Sequence, residues 1–492
     1  MKEILNSKYS RFFLVALLVN LLCSWFSIGF NQVDEHYQVL EFCNCKMGHS
    51  PASALPWEFH DKIRSSLLPT IAYLIGKAMT WWGIYNPFIL AFLLRLIAGF
   101  SSWYIVSKLC ILLAPKFKSR IGEKLFVLMA LFLWFVPYLN VRFTSENISG
   151  ILFLYGLYWV LKANEKSEFK LITFLCSGLI LGLAFFTRFH LMFAVAGLVA
   201  WFIFIKKIEL KYIFILAFSA LIAVGLSVLL DYWFYGTWTF SPYNYYYANI
   251  VQHRAASFGV SPWWFYFSDF VMRAVPPLSA VLLIMFFAGI YKNLKNVFVW
   301  IIVPFVILHL LTGHKELRFF FPVVFIFIYV AALGFDTLLL NEKYQKIHKY
   351  VYVIFWIICL PLLVFITFTP AQVAVSYTKY LYDNTHTNNT PLFILRNEDY
   401  SMVGYKANFY NSPNVKNISL DSLSQVKDYI RTNQPKMAYY LDKDGTNMDG
   451  FFHGYKSKMV YCYYPAFVLK WDINKWQERS HIWKLYQLDK VD

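Results

Sequence analysis

Apolar positions in this chain fall in long unbroken runs separated by short polar breaks, and not in the alternating or three-in-seven patterns of soluble strands and helices. A helix crossing a bilayer needs about 20 mostly apolar residues. Runs of that kind lie at 11–30, 87–114, 124–141, 148–162, 170–187, 190–206, 212–231, 275–292, 296–312, 318–339 and 350–369, which predicts eleven spans. A further apolar run, 67–84, decides the topology. If it crosses the membrane, the loop bearing Lys116, Lys118, Arg120 and Lys124 falls opposite Lys2, Lys8 and Arg11. If it lies in the interface, that loop joins them, together with Lys162, Lys166, Lys170, Lys206, Lys207, Lys211, Lys292, Lys295, Lys343, Lys346 and Lys349. Lysine and arginine accumulate in cytoplasmic loops. The second arrangement is therefore expected, with the N-terminus inside and about 11–12 transmembrane helices in all.

The pattern changes near residue 370. Beyond it the chain is polar, with Asn and Asp turns, short apolar runs at Pro391–Leu395 and Met459–Tyr464, and an amphipathic stretch at 420–432. This predicts a small α/β domain of about 120 residues, enough to bury its own core. The expected organisation is a polytopic α-helical membrane domain, 1–369, with external loops 31–86 and 232–274. An external (periplasmic or luminal) domain, 370–492, follows it.

Composition supports the membrane class and removes others. Hydrophobic residues make up 59% and charged residues only 15%, too few charges to cover a soluble protein of 492 residues. Aromatics at 21% suit interfacial belts. The net charge of +17 belongs to cytoplasmic loops and lipid phosphates, because no basic soluble domain for nucleic acid is visible. The seven cysteines follow no zinc or redox spacing. The first apolar run, from Phe12 to Phe30, is too long for a signal-peptide core and reads as a retained anchor. Asp442–Lys443–Asp444 has the letters of a metal-binding DxD, but Gly445 after it marks a turn, so no metal or other cofactor is expected.

With that topology, five polar clusters share the external face: Asp34, Glu35 and His36 with Gln38 and Glu41; Trp57, Glu58 and Arg64; Arg142 to Glu146; Thr187, Arg188 and His190; and His314 to Phe319, HKELRF. Taken singly, each has a bland reading: helix caps, arginines snorkelling at span ends, packed histidines. HKELRF resists it, because ionisable groups between spans are costly and mark function. Cations on separated loops can converge on a lipid-linked phosphate, with arginine as a fork and lysine as a point charge. A carboxylate facing them can deprotonate a hydroxyl. Trp57, Tyr235 and the aromatic stretch that Asp231 begins (DYWFYGTWTFSPYNYYYAN, 231–249) can stack on sugars or line a lipid groove. Together these parts describe sugar transfer from a polyprenyl phosphate. Such a leaving group needs cations and no general acid.

The chain resembles the GT-C glycosyltransferases, and within them glycosyltransferase family 22. These are the dolichyl-phosphate-mannose-dependent α-mannosyltransferases of GPI-anchor and N-glycan assembly, with their bacterial relatives. The resemblance rests on VDEHYQVLE (33–41), WEFHDKIRSSLLP (57–69), the 231–249 stretch, SPWWFY (261–266) and HKELRFFFP (314–322), and covers roughly residues 10–340. It implies a GT-C fold whose long first external loop carries the acid, polyprenyl-phosphate-mannose as donor, a glycan or glycolipid acceptor, and an α-linked product formed by inversion. Residue by residue it implies Asp34 as base with Glu35 beside it. It implies His314, Lys315 and Arg318 as donor-phosphate contacts with Glu316 orienting them, and Arg64 and Arg188 joining them. Substrate contacts are expected at His36, Asp231, Tyr235 and Trp57. RFTSEN (142–147) follows the family pattern only loosely, and the tail is unlike eukaryotic members, which favours a bacterial relative with a periplasmic site over one in the endoplasmic reticulum. Two alternatives stay open: transfer of a different sugar or aminosugar to a lipid, and transport of a lipid-linked anion, which predicts ionisable groups at mid-span and paired broken helices.

Overall fold

The computed structural model describes residues 1–165, 168–340, 347–395, 408–442, 451–464, 466–471, 476–479 and 482–491. Lys166, Lys343, Lys346, Lys443, Asp444 and Gly445, and the side chain of Lys349, lie outside the described residues. The chain forms two compact units. The first comprises Met1–Ser27, Trp57–Ile75 and Phe92–Thr369; the second comprises Ile28–Pro56, Gly76–Ala91 and Pro370–Asp492.

The first unit is built of helices that follow the apolar runs. Pro87–Lys116, Phe189–Lys206, Leu210–Tyr235 and Leu317–Leu339 are long and apolar enough to cross a membrane, and Leu278–Lys292 with Val297–Leu311 forms a pair bent by 119°. Shorter apolar helices at Ser10–Phe26, Leu171–Thr187 and Tyr352–Phe368 accompany them. The run expected as one span at 124–141 is broken. Its helix Arg120–Phe132 stops and a short one, Val136–Asn140, restarts with Pro137 in its first turn. Proline has no N–H for the preceding turn and its ring crowds that turn's carbonyl, so the break falls just before it.

The helix ends sort by side-chain contacts. Ser10–Phe26 and Pro87–Leu113 run antiparallel: Arg95 Nε donates to Ser24 O at 2.9 Å, Trp103 Nε1 to Phe13 O at 2.8 Å, and Lys108 pairs with Glu3. Lys162 also reaches Glu3, at 3.6 Å. The Asp336 carboxylate caps the 116–120 loop, accepting from Lys118 N and Ser119 N, each at 2.9 Å. The 116–124 loop thus shares an end with the N-terminus and the C-terminal end of Val324–Leu339. Arg95 itself is 4% exposed and bound to backbone, which makes it a tie between two helices.

One helix contact depends on glycine. Gly178 and Gly182 of Leu171–Thr187 press against Leu216 O and Ala220 O of Leu210–Tyr235; a Cβ on Gly182 would lie 2.9 Å from Ala220 Cα. Small residues four apart let two backbones approach where apolar burial gives no preference over lipid.

The second unit carries a five-stranded sheet in the order β2-β1-β3-β5-β4. Its strands are β1 Thr390–Leu395, β2 Val415–Leu420, β3 Met437–Asp442, β4 Tyr455–Cys462 and β5 Lys484–Lys490. β1 pairs in parallel with β2 and β3; β5 pairs antiparallel with β3 and β4. Alternation along β1 explains the layers. Leu392 and Ile394 pack on Tyr377 and Leu381 of helix Val373–Asn384, while Phe393 packs on Val426 and Ile430 of Leu423–Asn433. That second helix is the amphipathic stretch read from sequence, started by the Ser422 hydroxyl accepting from Gln425 N. Segment 28–56 joins this unit through Gln372 N donating to Ile28 O at 3.1 Å.

Candidate active site

In the second unit, Val33–Glu35 is one helical turn that widens into a π-helical stretch, His36–Glu41. Such widened turns frequently sit at functional sites. Asp34 is half-buried. Glu35 is 6% exposed and closes its own turn, accepting from Asn31 N at 2.9 Å. His36 is 0% exposed, bonds Glu41 Oε1 through Nε2 at 2.8 Å, and stacks on Tyr410 with centroids 5.6 Å apart. The ring of His36 is wholly buried in this structure and packs within the Asp34 turn. The same Glu41 oxygen accepts from Phe409 N at 2.8 Å, so one buried carboxylate holds the carboxylate turn to the 409–410 segment.

In the first unit, the cationic residues expected from sequence come together. Arg318 Nη2 donates to Glu316 Oε1 at 2.8 Å, and its Nε lies 2.7 Å from Oε2 as an ion pair. His314 Nε2 lies 3.0 Å from the same Oε1, and its Nδ1 bonds Gly259 O. Arg188 pairs with Glu146 at 3.0 Å, and Arg318 Nε is 4.0 Å from that Glu146 oxygen. Both guanidinium groups lie over the Phe319 ring, at 5.4 and 5.7 Å. His190 joins the layer below, bonding Tyr245 OH at 2.7 Å, with its ring 5.2 Å from that of His309. Arg64 lies over Tyr245 at 5.5 Å and is held by Glu58, its Nη2 2.6 Å from Oε1. Lys315 is 6% exposed and donates to Ser261 O at 3.0 Å and to Thr312 O. Burial lowers its ammonium pKa from the ordinary value of 10.5.

Arg64, Arg188 and Arg318 thus pair with Glu58, Glu146 and Glu316 in turn, and Lys315 lies on the same loop as Arg318 with its ammonium held by backbone carbonyls. Arg188 Nε, His190 Nδ1 and His309 Nε2 are buried and make no hydrogen bond among the described residues. Buried polar atoms are nearly always bonded; Arg188 Nε is a donor and calls for an acceptor, whereas His309 gives its Nδ1–H to Phe305 O and so presents Nε2 as an acceptor.

Other expected contacts sit differently. Asp231 is 0% exposed and accepts from Ser66 N at 2.8 Å, Ser66 Oγ at 2.6 Å and Ser241 Oγ at 2.7 Å. It anchors the 57–66 loop to the helix that follows Phe240. Tyr235 donates to Arg64 O at 2.8 Å, positioning Arg64. Trp57 is covered by Arg254 at 4.8 Å. Arg142, 2% exposed, donates to Ser27 O at 2.8 Å and caps the end of Ser10–Phe26. His309 and Tyr245 were not singled out from the sequence, and Glu146 only as the end of the Arg142 cluster. A carboxylate opening an apolar span was the available signal for Glu146; nothing local marks His309 or Tyr245.

Residues 10–396 match the Alg9-like mannosyltransferase family. The chain belongs to that family. Among curated relatives, GPI mannosyltransferase 3 of Debaryomyces hansenii is 27% identical over 396 residues, covering 76% of this chain and 68% of that protein. A probable Dol-P-Man:Man(7)GlcNAc(2)-PP-Dol alpha-1,6-mannosyltransferase of Schizosaccharomyces pombe is 23% identical, over 59% of this chain and 50% of that one. GPI alpha-1,2-mannosyltransferase 3 of Bos taurus is 23% identical, over 64% and 57%. The matched stretches thus span between half and about two-thirds of these relatives' lengths. Among solved structures, ArnT from Cupriavidus metallidurans bound to undecaprenyl phosphate aligns over 98% of both chains with a TM-score of 0.53 and 10% identity. This Alg9-like chain therefore has the GT-C fold, and the family 22 resemblance read from its motifs holds.

Proposed function

We propose that this protein is an inverting glycosyltransferase that moves mannose from a polyprenyl-phosphate donor to a hydroxyl of a glycan or glycolipid. The observation that carries the reading is the cation cluster around Phe319, where Arg188 and Arg318 lie over one ring and the buried Arg188 Nε meets no acceptor among the described residues. The names of the relatives and the polyprenyl phosphate in the ArnT structure support the same choice of donor. In the proposed reaction the acceptor oxygen attacks the anomeric carbon while the bond to the phosphate oxygen breaks, and the electron pair leaves on the phosphate. Arg318, Arg188 and His314 receive that charge. Donors already aimed at it require no rearrangement as the charge develops. Lys315 has three N–H groups, two of them given to backbone carbonyls, and offers the third. Asp34 takes the acceptor proton, and Glu35 fixes its turn. The reaction as proposed uses no metal, since the chain's own cations carry that role.

The protein sits in a membrane with this cluster on the face opposite the lysine-rich loops, periplasmic in a bacterium or luminal in the endoplasmic reticulum. The test supplies purified protein with radiolabelled polyprenyl-phosphate-mannose or GDP-mannose and a mannose-terminated glycolipid. Label should enter an α-linked product from the lipid donor alone; transfer from GDP-mannose, or a β-linked product, refutes the reading.

A further inference from the structure

The second unit holds a cavity of about 950 Å³, formed by 44–54, 85–87, Tyr382 and 408–413. That is the upper end of the range for small-molecule sites, about 300–1,000 Å³. Its polar lining is neutral: Asn44, Asn408 and Asn411 supply amides, and Ser50, Ser53 and Ser412 supply hydroxyls. Tyr85, Tyr382 and Phe409 supply rings, and no Lys, Arg, Asp or Glu is among the described lining residues. The Ser50 hydroxyl is buried and makes no hydrogen bond within the chain. Burial and the nearby Lys77 push His49 below its ordinary pKa, so at neutral pH it adds a donor and an acceptor without charge.

This lining is poorly suited to a phosphate, since no cation is among its described residues, and unsuited to a lipid tail, which would strand the amides without partners. Paired donors and acceptors beside flat rings match the alternating hydroxyls and C–H faces of sugars. Phe409 lines the cavity and is pinned by Glu41 to the turn bearing Asp34. Residues 408–413 lie beyond the stretch shared with the family, 10–396, so this wall belongs to the chain's own tail.

We propose that the cavity binds a neutral oligosaccharide, the glycan end of the acceptor, through amide and hydroxyl hydrogen bonds and stacking on Tyr85 and Tyr382. The assignment of that glycan as acceptor rests on the glycosyltransferase reading above; the binding itself does not. It makes the tail of this chain the part that selects the acceptor.

The test is equilibrium binding of labelled mannotriose, maltotriose and chitotriose to the full-length protein in detergent. At least one should bind the wild type. Asn411→Ala and Tyr382→Ala should each weaken it about ten-fold, the equivalent of about 1.4 kcal/mol. Ser53 is exposed at the rim, so Ser53→Trp should block binding while melting like the wild type. Binding of none of the three sugars, or equal binding by all three variants, overturns the proposal. Transfer assays separate it from the donor reading. A raised acceptor KM with unchanged release of mannose to water supports the cavity. A wild type that binds sugar but uses no lipid donor refutes the donor reading and leaves the cavity assignment standing.

Discussion

Replacing Glu146 by Gln removes one charge from a pair that is almost wholly out of water. The Arg188 and Glu146 side chains are 5% and 4% exposed and 3.0 Å apart. Two magnitudes compete. Polar contacts between membrane helices average about 0.6 kcal/mol, because an unfolded helix in lipid also finds partners. Breaking a buried ion pair by deleting one partner costs about 3–5 kcal/mol, because the survivor keeps its charge without compensation. The second should win here. The remaining support for Arg188 is the Phe319 face and a long 3.5 Å bond to Ser145 Oγ, and Arg318 also loses a carboxylate 4.0 Å away. Glu146→Gln is therefore expected to cost about 3 kcal/mol or more. Adding Arg188→Met should recover much of it, with a coupling in the upper half of the usual range of about 0.5–3 kcal/mol. Reversible unfolding of the reconstituted protein by titration with a denaturing detergent measures both. A loss near 0.6 kcal/mol with no coupling would refute the reasoning and make the pair an ordinary interhelical contact.

Arg318→Lys keeps the charge but loses the fork, so donor KM should rise about 10- to 100-fold, the worth of one or two charge-assisted bonds at about 1.5–3 kcal/mol; initial rates against donor concentration check it. Lys315 is charged at neutral pH and loses its charge as pH rises through its lowered pKa. The kcat/KM profile should therefore fall on the alkaline side earlier than an exposed lysine would allow, and Lys315→Arg should push that fall beyond about pH 10. Gly182→Leu should force Leu171–Thr187 off Leu210–Tyr235 and cost about 1–3 kcal/mol or more in the same unfolding assay, whereas Gly225→Leu, with open space around it, should be near neutral.

Helices were legible in the sequence because a bilayer demands one long apolar run per crossing, and the runs at 87–114, 190–206 and 212–231 reappear as long helices with ends shifted by a few residues. The sheet unit was legible from Pro391–Leu395 and the amphipathic 420–432 stretch, which pack as their patterns imply, whereas the Met459–Tyr464 run falls on strand Tyr455–Cys462 and leaves Met459 exposed. The break before Pro137 was overlooked because apolarity was weighed above the missing N–H. Gly178 and Gly182 stood in the sequence as two glycines four apart, a readable packing signal that went unused. HKELRF stood out because its charges are contiguous. Glu146, Tyr245 and His309 reach the same place from three separate helical segments, and no local pattern records that convergence. Asp231, His36 and Arg142 show the converse. Each is a polar residue beside a functional motif, and each has its hydrogen-bonding capacity turned inward, which only the positions of Ser66, Glu41 and Ser27 reveal. The neutral cavity was invisible for the same reason, since its asparagines come from chain positions 44, 408 and 411.

The central claim is that Asp34 is the base for mannose transfer from a polyprenyl phosphate. The most direct measurement is single-turnover transfer from labelled polyprenyl-phosphate-mannose by Asp34→Asn, with thermal melting and donor binding recorded on the same preparation. The account predicts wild-type melting, donor binding within about two-fold, and transfer reduced by about 100-fold or more, the usual contribution of a positioned general base. Transfer at the wild-type rate in a folded, donor-binding Asp34→Asn protein would contradict it.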